Sequence, residues 1–314
     1  MRRVVEIVLA AVALLAMSSC SSGIQVSGGD PVPASQGLTG GNWFLVATSQ
    51  AFSQGGNTFT TNLGGPLAAT GNAVNGMLAP SIGCLVTFEV NNLGVGAPAP
   101  VSFVGSMNGN AMSLANSPSV NGAVTTITGT LINGSLLNGT YSSQGGPALQ
   151  FNNHELCNGD YGTVYGTLVP PITGSWSGKL TNLDNDPNNL TQGPSGDTVS
   201  VTASLVQGEA QAGSFPLSGS IELQINNTSG LDLSCYGAGD SFEIDGTQSS
   251  ILGDAVTIIA NDTTNNGNVL TLNAYLANPN TAIQIGAPIT PVILTSSACS
   301  SYIYSQGILN KQSN

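Results

Sequence analysis

Residues 217–225 have the sequence Leu-Ser-Gly-Ser-Ile-Glu-Leu-Gln-Ile, in which apolar or small residues alternate with polar ones. A period of two is typical of an antiparallel strand with one face in a core and the other in water. The same alternation recurs over 199–205 and 270–276, and in the first half of the chain over 86–90. The sequence therefore predicts an all-β fold.

Two-residue turn signals separate the alternating segments. They are Asn75-Gly76, Asn108-Gly109, Asn121-Gly122, Asn133-Gly134, Asn138-Gly139 and Asp245-Gly246. Asn-Gly and Asp-Gly favour the tight turns of β-hairpins, and strands joined in this way form an up-and-down meander. About eight such strands must close into a barrel or pack as two sheets to cover their edges. We expect antiparallel barrels, with β-sandwiches as the alternative.

The composition excludes one class of partner. Charged residues make up 6% of the 314 residues, with 4 Lys plus Arg, 16 Asp plus Glu and a net charge of −12. Soluble domains usually carry about 25% charged residues, so this surface must be polar but uncharged. A chain with so few cations cannot neutralise a phosphate backbone, which excludes nucleic acid.

The chain contains a tandem repeat. Its two Trp residues lie in related contexts, Leu-Thr-Gly-Gly-Asn-Trp ending at Trp43 and Ile-Thr-Gly-Ser-Trp ending at Trp176. Two cysteines follow each Trp, and Pro170-Pro171 interrupts any strand between the two halves. We predict β domain 1 over 37–169 and β domain 2, its repeat, over 170–314.

Four cysteines follow the first Trp: Cys84, Cys157, Cys235 and Cys299. Four cysteines allow three connectivities. A unit that was copied whole should carry its own bridge, which predicts the disulfides Cys84–Cys157 and Cys235–Cys299. Each bridge would stabilise its unit by about 4 kcal/mol, because it restricts the unfolded chain. The alternative is four buried free thiols.

The N-terminus has the layout of a secretory signal. Two arginines at positions 2 and 3 precede an apolar run over 7–17, which is too short to span a bilayer. The sequence Met17-Ser18-Ser19-Cys20 resembles the lipobox of bacterial lipoproteins, with Met17 where Leu, Val or Ile is usual. The alternative is an ordinary signal peptide that is cut near Ser19.

The lipobox resemblance implies a lipid-anchored protein. It implies removal of the signal peptide 1–19 and acylation of Cys20, palmitate included, and several acyl chains anchor a protein durably. Ser21 stands where Asp would imply retention in the inner membrane, so the outer membrane is implied, facing either the periplasm or the surface. Residues 20–36 are rich in Ser, Gly and Pro, which predicts a flexible tether.

Candidate catalytic residues are few. His154 is the only histidine, so any Ser-His-Asp or Cys-His mechanism would have to use it. Asp240, Glu243 and Asp245 form a carboxylate cluster of the type that glycosidases use, but alternation gives Glu243 and Asp245 the face that ordinarily meets solvent. We therefore predict that the chain is not an enzyme and uses no cofactor.

Asp184 and Asp186 open a segment with oxygen ligands at alternate positions, which resembles the start of a calcium loop. Counted as an EF-hand, however, the segment has Asn189 in place of the Gly and Ser195 in place of the final Glu. An Asx-rich turn accounts for the same residues without an ion, because Asn and Asp bond their own backbone. We predict no metal, with calcium at Asp184 and Asp186 as the alternative.

Gly-x-Trp occurs twice, at Gly41-Asn42-Trp43 and Gly174-Ser175-Trp176. This motif is similar to the opening signature of lipocalins, and the preceding Leu-Thr-Gly is similar to the start of avidin-type barrels. In lipocalins the Trp packs at the closed barrel end under an Arg from near the last strand, whereas this chain has no Arg after position 3. The resemblance implies calycin-like barrels with Trp43 and Trp176 as ligand or core residues.

These observations predict a non-enzymatic, lipid-anchored protein of the cell envelope, present as a monomer. Its tandem β domains would act as a binding or structural module that meets a protein or a glycan. The alternative is a calycin-like carrier that holds a small apolar ligand inside one or both barrels. Inward Gly and Ala would leave room for such a ligand, whereas stacked Leu, Ile and Phe would fill the interior.

Overall fold

The computed structural model describes residues 37–54, 57–80, 100–117, 124–145, 150–151, 154–155, 159–184, 198–226, 241–263, 268–277, 281–285, 292–296 and 303–313. Within these ranges all the regular secondary structure is β-strand. In the same ranges no helix is long and apolar enough to cross a membrane. The signal peptide, the tether, the five cysteines and the strand expected over 86–90 lie outside the described residues.

Eight strands form a first closed barrel. They are β1 (Gly41–Gln54), β2 (Asn57–Thr70), β3 (Ala73–Pro80), β4 (Val101–Asn108), β5 (Ala111–Asn116), β6 (Val124–Ile132), β7 (Leu136–Gln144) and β10 (Asp160–Val169), while β8 (Gln150–Phe151) pairs with β9 (His154–Glu155). Each barrel strand pairs antiparallel with the next along the chain, and β10 closes the ring on β1, where Leu168 lies opposite Trp43. The predicted up-and-down barrel is confirmed.

The second barrel is also closed, but two of its strand positions are split. Its strands are β11 (Gly174–Asp184), β12 (Thr198–Gln207), β13 (Phe215–Asn226), β14 (Ser241–Ile244), β15 (Ser250–Leu252), β16 (Ala255–Asp262), β17 (Asn268–Ala277), β18 (Ala282–Ile285), β19 (Val292–Ser296) and β20 (Ile303–Lys311). Both β14 and β15 pair with β13 and β16, and both β18 and β19 pair with β17 and β20. The ring β11 to β20 therefore has eight positions.

Strand alternation fills both barrels with apolar side chains. Leu217, Ile221 and Leu223 of β13 are buried as predicted, and the polar residues between them are exposed. In the first barrel the largest buried side chains include Phe103 and Ile127. Each barrel holds one connected apolar cluster, and such burial contributes about 25 cal/mol for each Å² removed from water.

Each barrel is closed at one end by its Trp. Trp43 and Trp176 are at most 1% exposed. The Trp43 indole N–H donates to the Thr39 carbonyl at 3.0 Å, and the Trp176 indole N–H donates to the Ile172 carbonyl at 2.8 Å. The chain thus crosses the barrel end in the same way twice, which supports the predicted internal repeat.

The two barrels touch along β1, β2 and β15. Phe44 of β1 packs against the apolar cluster of the second barrel. A Cβ atom placed on Gly64 of β2 would lie 2.8 Å from the Cα of Gly253, so the two backbones are in direct contact. Residues 36–314 form one compact unit as a result.

Three of the predicted turns lie where expected. Asn108-Gly109 and Asn133-Gly134 join neighbouring strands, and Asp245-Gly246 follows β14. At Asn133 and Gly134 φ is 53° and 70°, which suits the tight hairpin turn that requires positive φ at both positions. Asn121-Gly122 lies outside the described residues.

Two other predicted turns are wrong, because Asn75-Gly76 lies inside β3 and Asn138-Gly139 lies inside β7. A Cβ atom on Gly139 would lie 2.1 Å from the carbonyl oxygen of Thr128 on the neighbouring strand. The glycine is needed there because the strands approach closely, as is common where a sheet curves into a barrel. The dipeptide alone cannot distinguish this need from a turn.

Candidate functional site

The connections at the two ends of each barrel differ in length. In the first barrel, β2–β3, β4–β5 and β6–β7 are joined by two or three residues at the Trp end. At the opposite end β1 and β2 are joined by two residues, and the other connections are longer, including 81–100 and 145–159. The second barrel has the same polarity, with 185–197 and 227–240 at the end opposite Trp176. We call this opposite end the loop end of each barrel.

A buried carboxylate lies at the loop end of the first barrel. Asp160 begins β10 and points inward in phase with the buried Val164. Its Oδ1 accepts a hydrogen bond from the Ser49 hydroxyl at 2.7 Å, and its Oδ2 accepts one from the Tyr141 hydroxyl at 3.0 Å. Three strands, β1, β7 and β10, thus supply one connected polar cluster inside the barrel.

A second pair of hydroxyls extends this cluster. Thr125 of β6 and Ser143 of β7 are both buried, and their hydroxyl oxygens lie 2.7 Å apart. Ser143 is also directly opposite Asp160 in the strand register. We call Ser49, Thr125, Tyr141, Ser143 and Asp160 the Asp160 cluster. It gives the loop end a polar lining above an apolar interior.

The electrostatics of the Asp160 cluster follow from burial without a cation. Residues 37–169 contain no Lys or Arg. Burial raises the pKa of Asp160 above its ordinary value, although the hydrogen bonds from Ser49 and Tyr141 act in the opposite direction. Burial and the nearby Asp160 carboxylate raise the pKa of Tyr141. The cluster can therefore accept hydrogen bonds and, when Asp160 is protonated, also donate them.

The second barrel carries a different carboxylate at its loop end. Asp262 ends β16 and Asn268 begins β17, and both side chains are buried. The Asn268 amide Nδ2 donates to the Asp262 Oδ2 at 2.8 Å. The Asn268 Oδ1 is buried without a hydrogen-bond partner among the described residues.

These polar pairs occupy corresponding places in the repeat. Asn116 ends the fifth strand of the first barrel, and its Oδ1 accepts the backbone N–H of Thr125 on the sixth strand. Phe103 lies opposite Asn116 in the register, just as Phe242 lies opposite Asp262. Both barrels thus join their fifth and sixth strand positions by a buried polar contact beside a buried Phe.

Of the three carboxylates singled out from the sequence, Glu243 and Asp245 lie within the described residues. Glu243 is exposed, as predicted for a solvent face, and Asp245 begins the turn after β14. The Asp245 carboxylate accepts hydrogen bonds from Thr247 and Gln248, which hold its pKa below the ordinary value. It therefore acts as a turn cap. A groove of about 520 Å³ lies beside Glu243 and Asp245 on the outside of the barrel. Asp240 lies outside the described residues.

The other candidates from the sequence are the histidine and the two aspartates of the calcium-like segment. The backbone of His154 lies in β9, opposite Phe151. Asp184 is the last residue of β11, and Asp186 lies outside the described residues. Within the described ranges, no three residues among His, Cys, Asp and Glu come together in a way that could hold a metal ion.

Lys311 covers the Trp of the second barrel. It ends β20, the last strand, and its Nζ lies 5.6 Å from the centroid of the Trp176 ring. The same Nζ lies 3.4 Å from the carbonyl oxygen of Pro171. A cation over an aromatic face at this distance is attracted by the ring quadrupole. No sequence pattern links Lys311 to Trp176, because the two residues belong to strands that lie far apart in the chain.

No family model and no curated protein matches this chain. Among solved structures, it matches the crystal structure of kievitone hydratase from Nectria haematococca at 10% sequence identity and a TM-score of 0.21, over 91% of this chain and 93% of that one. The matched protein is an enzyme, so this comparison contradicts the prediction that the chain is not an enzyme. A likeness of this size assigns no substrate or residue role to this chain.

Proposed function

We propose that this protein is a lipid-anchored component of the bacterial outer membrane whose two barrels together form a binding module. Its partner contacts the outer surfaces of the barrels. The lipobox-like sequence ending at Cys20 supports the anchor, and the Ser-, Gly- and Pro-rich residues 20–36 give the folded unit reach from the membrane.

The filling of the barrel interiors carries this proposal. Large side chains such as Trp43, Phe103 and Leu114 occupy the first barrel, and Trp176 and Phe242 occupy the second, all at most 1% exposed. A tightly packed interior leaves the outward strand positions and the loop ends as the surfaces on which a partner can bind. These outward positions hold mainly Ser, Thr and Asn.

The anchor is tested by metabolic labelling with radioactive palmitate. We expect label in the wild-type protein and none in a Cys20→Ala variant, which should also leave the membrane fraction. A Cys84→Ala variant is the matched control, because it removes a cysteine that the lipobox does not contain. Label that persists in Cys20→Ala would overturn the anchor.

The binding mode is tested by native mass spectrometry of protein purified from its own host. A module that binds on its outer surface should show the mass of the acylated polypeptide alone after gentle desolvation. A co-purifying small apolar molecule would overturn outer-surface binding as the main function.

The carrier function is a second candidate, favoured by the Asp160 cluster. A buried carboxylate with two hydroxyl donors at the loop end can orient the polar head of a ligand whose apolar part faces the interior. The cover of Trp176 by Lys311 also parallels the cover of the lipocalin Trp by an Arg near the last strand. Asp160→Asn would then weaken ligand retention, measured as the fraction of protein that carries ligand mass, while Glu222→Gln on the outer face would not.

A further inference from the structure

The outer face of β7 and β10 presents two exposed tyrosines. Tyr161 and Tyr165 of β10 are each 52% exposed, and Thr163 lies between them on the same face. The two tyrosines are four positions apart along the strand, which separates them by about 13 Å. In the register, Ser142 lies opposite Tyr161, Thr140 opposite Thr163 and Asn138 opposite Tyr165. We call these six residues the tyrosine face.

Hydroxyl groups continue from the tyrosine face onto the next strand. Thr126, Thr128 and Thr130 of β6 lie opposite Ser142, Thr140 and Asn138 in the register. The Thr128 and Thr140 hydroxyl oxygens lie 3.3 Å apart. Each hydroxyl is one donor and two acceptors, so this surface can exchange hydrogen bonds in both directions.

The tyrosine face is electrically neutral. Residues 37–169 contain three acidic residues, Glu89, Glu155 and Asp160, and no Lys or Arg. Asp160 is buried inside the barrel, Glu155 belongs to β9, and Glu89 lies outside the described residues. A surface without charges offers nothing to pair with an ionic partner, and a charged ligand would lose hydration there without compensation.

The two tyrosines remain accessible beside the contact between the barrels. That contact uses β1 and β2 of the first barrel, and Met77 of β3 and Pro100 also lie close to Gly213 of the second barrel. In the ring of eight strands, β6 lies opposite β2 and β7 lies opposite β3. β6 and β7 therefore lie across the first barrel from the second one. β10 is the neighbour of β1 in the ring, and Tyr161 and Tyr165 each keep 52% exposure with both barrels present.

We propose that the tyrosine face binds an uncharged polysaccharide. The tyrosine rings stack on the apolar faces of two sugar rings that are not adjacent in the glycan, and the hydroxyl and amide groups between them bond the sugar hydroxyls. Tyrosine suits this role because it presents a large apolar ring at low conformational entropy cost. This inference rests on the proposed function, because it names the partner of the outer barrel surface.

The test is affinity electrophoresis of the purified full-length protein in native gels that contain laminarin, dextran, galactomannan or the anionic glycan alginate. We expect retardation by at least one neutral glycan and none by alginate. Tyr161→Ala and Tyr165→Ala should each weaken binding about tenfold, and the double variant should lose it. Tyr165→Phe should bind nearly as well as the wild type, because it keeps the ring.

Tyr275→Ala is the matched control, because Tyr275 is an exposed tyrosine of the second barrel, 38% accessible. Its mobility in the glycan gels should equal that of the wild type, and circular dichroism should show that every variant is folded. A wild-type protein that no neutral glycan retards would overturn the inference, and so would a double variant that binds within twofold of the wild type. Neither result affects the labelling of Cys20 or the mass-spectrometric test of outer-surface binding. The proposed function can therefore be refuted or supported independently of glycan binding.

Discussion

Asn42 and Gly253, which belong to different barrels, share two hydrogen bonds. The Asn42 Nδ2 donates to the Gly253 carbonyl at 2.8 Å, and the Gly253 N–H donates to the Asn42 Oδ1, also at 2.8 Å. Asn42 is buried, and the two residues lie 211 positions apart in the sequence. One side chain thus replaces the hydrogen bonds that a neighbouring strand would make with the turn at Gly253. This contact ties β1 of the first barrel to the turn between β15 and β16 of the second.

Replacement of Asn42 by Ala should therefore uncouple the barrels. The change leaves the N–H and the carbonyl of Gly253 unpaired at a buried contact, which costs about 2–4 kcal/mol. Urea unfolding can be followed through Trp176 in a Trp43→Phe background and through Trp43 in a Trp176→Phe background. We expect coincident midpoints with Asn42 present and separate midpoints in Asn42→Ala.

Asn138→Ala is the control for this experiment, because Asn138 is an exposed residue of β7. It should change neither midpoint measurably. Coincident and unshifted midpoints in Asn42→Ala would show that the barrels are held together by Phe44 and the other apolar contacts alone.

The alternation of polar and apolar residues predicted most of the fold. The phase of Leu217, Ile221 and Leu223 identified the buried face of β13, and the repeated Trp context identified the residues that close each barrel. These signals are local, since each one depends on the spacing of residues within a single strand. Local spacing could not predict that β14 and β15 share one strand position, because the interruption over 245–249 depends on the neighbouring strands.

The polar residues of the site were harder to predict for the same reason. Asp160 shares its strand phase with the buried Val164, which could have placed it inside the barrel. Its partners Ser49 and Tyr141 come from other strands, and only the closed ring brings them within hydrogen-bond distance. The contact of Asn42 with Gly253 leaves no sequence pattern, because its second partner is main chain.

Tyr141→Phe should destabilise the first barrel in a pH-dependent way. It removes one of the hydroxyl donors to Asp160, so the pKa of this carboxyl should rise further above its ordinary value. We expect a loss of about 1–2 kcal/mol that is larger at pH 7 than at pH 4, because the Tyr141 hydroxyl stabilises the charged form of Asp160 and the charged form is less populated in acid. Urea unfolding at the two pH values measures the difference.

Asp160→Asn provides the internal comparison, since it keeps the shape of the side chain and removes the charge. In the Asp160→Asn background, Tyr141→Phe should cost nearly the same at both pH values. An unchanged pH dependence in that background would contradict the assignment of the effect to Asp160.

Asp254 should make the protein less stable as the pH rises. Burial raises its pKa from 3.8 to about 6. The folded state therefore binds this proton more tightly than the unfolded state, so the contribution of Asp254 to stability is full below pH 3.8 and is lost as the pH rises through about 6. Asp254→Asn should raise stability at pH 7 by about 1–2 kcal/mol after allowance for partial exposure.

The measurement is thermal unfolding of the wild type and of Asp254→Asn between pH 3.5 and 7.5. The two melting temperatures should agree near the acid limit and diverge above it, with the variant higher. Glu222→Gln, at an exposed acid of β13, should follow the wild type throughout. A variant that melts below the wild type at pH 7 would contradict the sign of the effect.

Gly139→Ala should destabilise the first barrel more than Gly71→Ala. Both glycines lie next to an Asn, as turn glycines often do: Gly139 follows Asn138, and Gly71 precedes Asn72. Gly71 lies in the turn between β2 and β3 with φ of +60°, and a Cβ atom there would meet nothing within 4 Å, so Ala adds only backbone strain of about 1 kcal/mol. At Gly139 the Cβ atom would lie 2.1 Å from the Thr128 carbonyl oxygen, and the two strands must move apart. Overpacking of this kind costs about 3 kcal/mol or more. Urea midpoints measured through Trp43 rank the variants, and a Gly139→Ala protein as stable as Gly71→Ala would show that β6 and β7 do not approach so closely.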